Sequence, residues 1–410
     1  MALTIGRIKQ TYLPDGIANN VADLHEFDGK DVYGIRSFNC NMRGIPVCKS
    51  RDMRWRNSNP YGGPSVDDYE NVAPFNVRRC ITTADNSKPY GRKVLAYEGD
   101  ANYKELIKSK TGDRMIEFPK GYLYRPDKYT FLVSPTKIDE RWSVSPAHDL
   151  GVGGEVDYVR RTEFVLPGNG DFQCKVTNTT PNTFSSGFPE IDNLKAKFWH
   201  PQSYGFYSWV CILAAIKYNS FNISAINSMN SIYSTAGNGI PIEEDYVQGL
   251  DYIPYSFQSM KGWHSRTLGI HDFLHSYNYL IGNVIIDVDT SRTLYYNKDV
   301  TNVNLHDLTL DNFKQMSGTR SLIWTLDTDD FRWLNIGLNE NDPGLLFNDT
   351  DVSDFDYWHY LPDESMMNVF CLLGSKYLAQ TSSWNTPMHL LDLSSLTDGP
   401  GTYIAAIEFE

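Results

Sequence analysis

Four aspartates lie at nearly alternate positions in the stretch DTDVSDFDYWHY. They are Asp349, Asp351, Asp354 and Asp356. Closely spaced carboxylates suit calcium, because this hard cation takes about six to eight oxygen ligands. The stretch does not follow the EF-hand pattern, and a solvated acidic loop has the same composition. We therefore expect either a calcium site or a solvated loop here.

Aromatic side chains accompany these aspartates and recur further along the chain. Aromatic faces stack on sugar rings, while tyrosine hydroxyls and asparagine amides can hydrogen-bond to sugar hydroxyls. The sequence therefore predicts a binding site for a glycan or protein receptor, formed by Tyr357, Trp358, Tyr360, Trp384 and Asn385. The alternative is that Trp358 and Trp384 belong to the core or to a subunit interface, since large aromatic residues are mostly buried.

His271 and His275 are four residues apart, with Asp272 between them. Two histidines at this spacing on a helix can bind zinc, but a zinc protease also requires a glutamate directly after the first histidine. Gly269 and the Tyr-Asn-Tyr that follows His275 and Ser276 favour a turn over a helix. We interpret both histidines as structural or surface residues.

The six cysteines, at positions 40, 48, 80, 174, 211 and 371, show no Cys-x-x-Cys spacing. This pattern indicates free thiols in a protein made in a cytoplasm, rather than a disulfide or zinc framework. Cys371 lies in the apolar stretch MMNVFCLLG, so we expect its thiol to be buried and unreactive. Since no phosphate-binding glycine loop occurs either, the sequence predicts that the chain is not an enzyme.

Composition restricts the classes of function. The 410 residues include 50 acidic and 37 Lys or Arg residues, and the formal net charge is -13. A nucleic-acid-binding protein needs concentrated basic residues, so we expect no nucleic-acid partner. No apolar run reaches the roughly 18 residues of a membrane-spanning helix, so we expect no membrane partner. Residues 1–30 lack the apolar core of a signal peptide.

The clearest predicted element is a helix within residues 199–222. Ser203 is placed to cap its start, because the hydroxyl can accept a hydrogen bond from a first-turn amide. Asn219 and Ser220 are placed to end it. Apolar residues at helical spacing predict an amphipathic helix that packs against β-structure; they are Phe206, Trp209, Val210, Leu213 and Ile216.

Most of the remaining chain is predicted to form short strands and loops, with a short helix over residues 101–109. Gly282 allows a strained turn, and Asn283 can hydrogen-bond to its own backbone there. The strand that follows is apolar on both faces and should be central in its sheet. Strands are expected in residues 3–12, 31–39, 114–135 (two or three strands), 156–166, 284–288 and 402–410.

The patterns divide the chain into three segments. Residues 1–50 have few large apolar residues and form an N-terminal β arm that depends on other parts for its core. Residues 51–113 are a loop-rich lead-in. Residues 114–410 form the main folded domain, with display loops towards its C-terminal end.

Seven stretches follow one another in a characteristic order: APFNVRRC (73–80), AYEGDANY (96–103), RMIEFPKGYLYR (114–125), SVSPAHDL (143–150), VDYVRRTEF (156–164), the helix at 203–218, and LIGNVIID (280–287). This series resembles the C-type-lectin-fold virion proteins of tailed bacteriophages, a group that includes retroelement-diversified tropism proteins and relatives in gut phages. The resemblance implies an α+β, β-rich, C-type-lectin-like fold. Such a fold has one or two helices on a twisted, mostly antiparallel sheet with long loops.

The resemblance also implies a function. The chain would be a structural protein of a virion tail or capsid fibre that docks to other virion proteins through residues 1–50. It would form a homotrimer and attach to a host-surface glycan or protein through its C-terminal loops.

Two alternatives remain open. The chain could be a structural adaptor or decoration protein without receptor binding. The same fold also hosts a formylglycine-generating type of oxygenase, which works through a pair of late cysteines. After Cys211 this chain has only Cys371, which argues against the oxygenase.

Overall fold

The computed structural model describes residues 24–36, 44–56, 66–127, 129–163, 194–219, 231–233, 263–271, 273, 278–287, 293–303, 313–315, 342, 344–345, 368–374, 389–390, 402–403 and 405–410. Within these residues the protein is an α+β fold rich in strands, with mostly antiparallel sheets and few helices. The predicted coarse fold class is therefore confirmed.

Three larger sheets organise the described residues. In spatial order, sheet I contains β10 (Ser143–Val144), β8 (Tyr122–Asp127), β9 (Thr130–Ser134), β1 (Tyr33–Arg36) and β2 (Ile45–Cys48). Sheet II contains, also in spatial order, β12 (His200–Pro201), β22 (Ala406–Phe409), β11 (Tyr158–Thr162), β7 (Asp113–Pro119), β5 (Arg78–Ala84) and β6 (Arg92–Tyr97). Sheet III contains β18 (Lys314–Gln315), β17 (Thr293–Tyr296), β16 (Asn278–Asp287), β19 (Asn368–Gly374) and β20 (His389–Leu390), with β21 (Thr402–Tyr403) beside β16.

The remaining described elements are shorter. Two small sheets pair β3 (Trp55–Arg56) with β4 (Val66–Asp67), and β14 (Trp263–Thr267) with β13 (Ser231–Tyr233) and β15 (Ile270–His271). The helices are α1 (Tyr103–Lys108), α2 (Tyr204–Tyr218), a helical segment that includes residues 194–196, and 3-10 turns at residues 24–27, Lys49–Arg51, Gly151–Gly153 and Val300–Asn302.

Several predicted elements are confirmed. Residues 114–135 form β7, β8 and β9, although β7 begins one residue earlier, at Asp113. Residues 31–39 contain β1, residues 156–166 contain β11, residues 101–109 contain α1, and the end of the chain contains β22. The predicted strand at 3–12 lies outside the described residues.

Helix α2 begins and ends where the sequence predicts. Ser203 Oγ accepts a hydrogen bond of 3.0 Å from the Phe206 amide, and Asn219 ends the helix in the left-handed conformation. The expected amphipathic character is wrong, because all 15 residues of α2 are buried. Its sequence is apolar almost all round, and such a helix must be covered on every side. Its single charged residue, Lys217, pairs with Asp67 at 2.6 Å.

The predicted turn at Gly282 and Asn283 is also wrong, because both residues lie inside β16. A Cβ at Gly282 would lie 3.0 Å from Pro201 Cβ, so the glycine allows a close approach of β16 to β12. Asn283 bonds across the fold rather than to its own backbone. Its Oδ1 accepts from the Tyr204 amide at 2.8 Å, and its Nδ2 donates to the Asn297 carbonyl at 2.8 Å.

The strand after Gly282 is central, as predicted. Strand β16 pairs with β17 on one side and with β19 on the other, and its register shifts against β19 between Leu280 and Ile285. The bulged part of β16 holds Gly282 and Asn283, so the irregularity turns this strand towards the start of α2.

The three predicted segments share sheets in the described structure. In sheet I, β1 pairs with β9 from the main segment. In sheet II, β5 of the lead-in pairs with β7. These pairings show how the segments pack, while their division into docking arm, lead-in and display domain stays a prediction.

Candidate functional site

The predicted ligand and metal residues lie outside the described residues. This holds for Tyr357, Trp358, Tyr360, Trp384 and Asn385, and for the aspartates Asp349, Asp351, Asp354 and Asp356. For His271 the structure gives only a backbone position in β15, and His275 is not described. These predictions therefore stay predictions.

The stretches that contain these residues join β19 at opposite ends. Residues 346–367 lead into Asn368, which pairs with Asp287. Residues 375–388 follow Gly374, which pairs with Asn278. Strand β19 spans about 20 Å, at about 3.3 Å per residue. A single site that contains both Trp358 and Trp384 would require at least one of the two stretches to extend along the length of β19.

The start of the first stretch is anchored in the core. Leu345 belongs to the main core cluster, and a Cβ at Gly344 would lie 2.7 Å from Pro146 Cδ. Nearby, Lys298 Nζ bridges two carboxylates, Asp149 at 2.9 Å and Asp342 at 2.6 Å. The Lys298 ammonium group thus supplies the positive charge between these two carboxylates.

The most unusual described arrangement is a row of alternating charges across sheet II. Arg78, Glu117, Arg160 and Glu408 are direct neighbours in register on β5, β7, β11 and β22. We call this row the charge ladder. Residues directly opposite on neighbouring strands point to the same side of a sheet, so the ladder defines a charged face. The opposite face carries apolar residues, among them Phe118, which packs on Phe206 of α2 with ring centroids 5.2 Å apart.

Hydrogen bonds and an ion pair link the members of the charge ladder. Arg78 Nε donates to Glu117 Oε1 at 3.1 Å, and Arg160 Nε donates to Glu117 Oε2 at 2.8 Å. Arg160 Nη1 lies 3.6 Å from Glu408 Oε1. The side chains of Glu117, Arg160 and Glu408 are at most 1% exposed, whereas that of Arg78 is 48% exposed. The ladder therefore runs from a half-exposed end at β5 into the interior.

Arg92 joins a second group of charges to the deep end of the ladder. Its Nε donates to Glu408 Oε2 at 2.6 Å, and its Nη2 donates to Asp113 Oδ2 at 2.8 Å and to Thr82 Oγ1 at 2.7 Å. The guanidinium also lies over the Trp199 ring, 5.1 Å from its centroid.

Glu408 Oε2 accepts hydrogen bonds from several side chains at this end of the ladder. Besides the bond from Arg92, it accepts from Trp199 Nε1 at 2.9 Å and from Thr82 Oγ1 at 3.1 Å. A buried carboxylate needs such donors to compensate for its lost hydration. The residue before Trp199, Phe198, adopts a positive φ of 58° and lies against Gly91.

The charged face is built for structure rather than for acid–base catalysis. Each carboxylate of the ladder is paired with buried or half-buried arginine side chains, so neither is free to take part in proton transfer. Burial raises the pKa of the nearby Cys80 thiol well above its ordinary value. A protonated, buried thiol is a poor nucleophile. Alternating charges on neighbouring strands do, however, favour one strand order and one register.

A serine–histidine pair lies next to sheet II. Ser145 Oγ and His148 Nδ1 are hydrogen-bonded, and His148 Nε2 lies 3.1 Å from the Phe118 carbonyl oxygen. That carbonyl can only accept, so Nε2 carries the proton and Nδ1 accepts from the serine hydroxyl. Both side chains are fully buried, and burial lowers the pKa of His148 to about 4. With no exposure to substrate, the pair ties the 145–148 turn to β7.

One signal for the charged face is visible in the sequence but is missing from the predicted sites. In β22, Glu408 alternates with the apolar Ile407 and Phe409. Such alternation indicates one polar and one apolar face of a strand. It does not identify the partners of the carboxylate, which come from strands far away in the chain.

Metal binding and membrane crossing find no support in the described part of the chain. Among the side chains that the structure describes, no group of three or more His, Cys, Asp or Glu is arranged to hold a metal ion. No described helix combines the length and apolar character that crossing a bilayer requires.

No protein-family profile, curated protein or solved structure matches the chain.

Proposed function

We propose that the chain is a structural protein of a bacteriophage virion, with a C-type-lectin-like domain that attaches to a glycan or protein on the host surface. The observation that carries the proposal is the placement of the resembling stretches. RMIEFPKGYLYR forms β7 and β8, VDYVRRTEF supplies β11, and the helix and LIGNVIID form α2 and β16. The ordered series thus builds one connected framework.

This framework suits the display of loops. Helix α2 is buried, and strands of sheet II are fixed by the charge ladder. Sheet III then carries long connections between its strands, including residues 375–388 between the paired strands β19 and β20. Binding residues are commonly found on loops that a rigid framework positions. The proposed ligand residues are those predicted from the sequence, with Trp358 and Trp384 as their centres.

The test is binding of the purified full-length protein to cells of candidate host bacteria. Trp358→Ala and Trp384→Ala are made separately, because their stretches join β19 at opposite ends. Phe198→Ala is the control, since it removes a partly exposed aromatic ring from the edge of sheet II. Saturable binding that either tryptophan variant weakens about tenfold or more, and that the control retains, supports an attachment protein.

The two single variants also report on geometry. A loss in both variants indicates one shared site, and a loss in one variant indicates a site at one end of sheet III. Loss of binding after chelation, with recovery on adding calcium, supports the predicted aspartate site. Absence of binding to every host, together with tight assembly onto other virion proteins, would overturn attachment and leave the structural adaptor.

A further inference from the structure

The end of the described chain joins two sheets. Strand β21 pairs in parallel with β16 of sheet III, with Asn278 opposite Thr402. Strand β22 then inserts into sheet II between β11 and β12. We call β21, β22 and the described residues beside them, up to Glu410, the strap.

Backbone hydrogen bonds hold the strap in sheet II. The Gln202 amide donates to the Ala405 carbonyl at 2.8 Å. The Asp157 and Tyr158 amides both donate to the Glu410 carbonyl at 3.0 Å, and the Glu410 amide donates back to Tyr158. Both edges of β22 are therefore paired, although its neighbour β12 contributes only two residues.

Side chains fasten the same segment on both faces of the sheet. Ile407 and Phe409 belong to the main core cluster on the apolar face. Glu408 is fully buried on the charged face, where Arg92, Thr82 and Trp199 donate to it. Three donors thus meet at the Glu408 carboxylate, while the half-exposed carboxylate of Glu410 pairs with Arg160.

We propose that the strap is a charge-locked conformational device: Arg92, Trp199 and Arg160 hold Glu408, and loss of that carboxylate charge releases the strap while the rest of sheet II stays folded. Apart from β12, which pairs with β22, the strands of sheet II have other pairing partners. Strand β7 lies between β5 and β11, and β5 also pairs with β6. Contiguous segments can open locally at a lower free energy than the whole fold, and loss of the Glu408 charge weakens the strap in particular.

Release of the strap would separate its link between sheets II and III. While the strap is in place, β21 pairs with β16 and β22 pairs with β11. A displacement of β16 is then transmitted through the strap to β11. In the released state the two sheets are joined at this end only through other contacts, such as the bond from the Gly282 amide to the Gln202 carbonyl at 3.2 Å. The strap would therefore act as a coupling element whose strength is set by one buried charge.

Native-state hydrogen exchange of the full-length protein, read by mass spectrometry, tests this proposal. The variant is Glu408→Gln, which keeps the shape of the side chain and removes its charge. The control is Glu98→Gln, which removes a half-exposed partner of Arg79 elsewhere on sheet II. We expect amides of the strap to exchange roughly 100-fold faster in Glu408→Gln, since buried Arg92 then keeps only one of its two carboxylate partners, Asp113.

The distribution of the change decides the outcome. Amides of β5, β6 and β7 should change by less than about threefold in Glu408→Gln, and the control should leave the strap unchanged within the same limit. Equal acceleration across sheet II would overturn the proposal, because the strap would then open only with the whole sheet. Unchanged exchange in the strap would overturn it as well.

A milder variant keeps the test decisive if Glu408→Gln does not fold. Trp199→Phe removes one donor to Glu408 and leaves all charges in place. We expect acceleration of roughly tenfold that is confined to the strap. Faster amide exchange throughout sheet II, or unchanged exchange in the strap, would contradict the proposal. The proposal does not rest on host attachment, so failure of the cell-binding test leaves it standing.

Discussion

Trp199 donates a hydrogen bond of 2.9 Å from its indole nitrogen to Glu408 Oε2, across a separation of 209 residues in the chain. Trp199→Phe removes this donor and leaves the carboxylate with Arg92 and Thr82. Loss of a hydrogen bond to a charged group costs about 1.5–3 kcal/mol. We expect the free energy of unfolding, measured by urea titration, to fall by that amount in addition to the cost of the smaller ring.

A second tryptophan supplies the matched control. Trp142 is also buried, at 1% exposure, but its indole nitrogen has no hydrogen-bond partner in the part of the chain that the structure describes. Trp142→Phe therefore measures the cost of a smaller ring without the loss of a hydrogen bond from the indole nitrogen. Equal losses of unfolding free energy in both variants would mean that the bond to Glu408 contributes nothing.

The start of helix α2 depends on Asn283. Its Oδ1 accepts from the Tyr204 amide, and its Nδ2 donates to the Asn297 carbonyl, both at 2.8 Å. Asn283→Ala removes the hydrogen bonds that Asn283 makes to a buried amide and a buried carbonyl. Removing the partner of a buried polar group costs about 1–3 kcal/mol, so the two losses should lower the free energy of unfolding, measured by circular dichroism, by about 2–6 kcal/mol.

Asn302→Ala is the control for this variant, because Asn302 is exposed at the end of a 3-10 turn. It should change the unfolding free energy by less than about 0.5 kcal/mol. A loss in Asn283→Ala no larger than in this control would show that Asn283 does not cap α2.

His148 makes the stability of the protein depend on pH. Burial lowers its pKa from 6.5 to about 4 in the folded state. Above pH 6.5 the residue is neutral in both states and does not affect stability. Between pH 6.5 and 4 the unfolded chain takes up a proton that the folded protein excludes, so stability falls as pH falls. Below about pH 4 the loss from this residue reaches about 3 kcal/mol.

His200 acts in the same direction, because burial lowers its pKa to about 4. Its variant His200→Gln and the variant His148→Gln are each compared with the parent protein by urea titration at pH 7 and pH 4.5. Each variant should lose less stability between the two pH values than the parent. A parent-like pH dependence in His148→Gln would rule out this histidine as a source of acid sensitivity.

Gly205 sits where α2 touches the turn at Pro146. A Cβ at this position would lie 2.0 Å from the Pro146 carbonyl oxygen, which is a backbone atom and cannot rotate away. We expect Gly205→Ala to lower the unfolding free energy by about 3 kcal/mol or more, with a lower melting temperature.

Gly29→Ala separates steric conflict from backbone preference. Gly29 has a φ of 80°, but no atom lies within 4 Å of the added Cβ. Gly29→Ala should lower the free energy of unfolding by only about 1–2 kcal/mol, because alanine disfavours the left-handed conformation. If Gly205→Ala lowers the free energy of unfolding no more than Gly29→Ala does, then α2 does not approach Pro146 as closely as described.

Local patterns in the sequence predicted elements well where the chain alone determines them. The ends of α2 at Ser203 and Asn219 depend on capping within a few residues, and both are confirmed. The environment of that helix was predicted wrongly, because periodicity finds its apolar stripe but does not show that the other sides are covered too. Burial on all sides is a property of the surrounding sheets.

The contacts of Asn283 and Glu408 could not be predicted for a related reason. The sequence places Asn283 beside a glycine, which favours a local turn, yet its partners Tyr204 and Asn297 come from other elements. The charge ladder likewise draws its residues from four strands between positions 78 and 408. No spacing within one strand specifies which charges meet. The predicted ligand residues Trp358 and Trp384 lie outside the described residues, so that part of the prediction awaits the cell-binding test.

The charge ladder also has a consequence for synthesis of the chain on the ribosome. Arg160 and Arg92 are translated long before Glu408, their shared partner in the folded protein. At about 5–20 residues per second, roughly 10–50 s separate the appearance of residue 160 from that of residue 408. During that interval the edge of β11 that later pairs with β22 is unpaired. Several nascent chains on one messenger RNA expose this unpaired edge close to one another. The protein therefore passes through a period in which protection by chaperones would improve the yield of native protein.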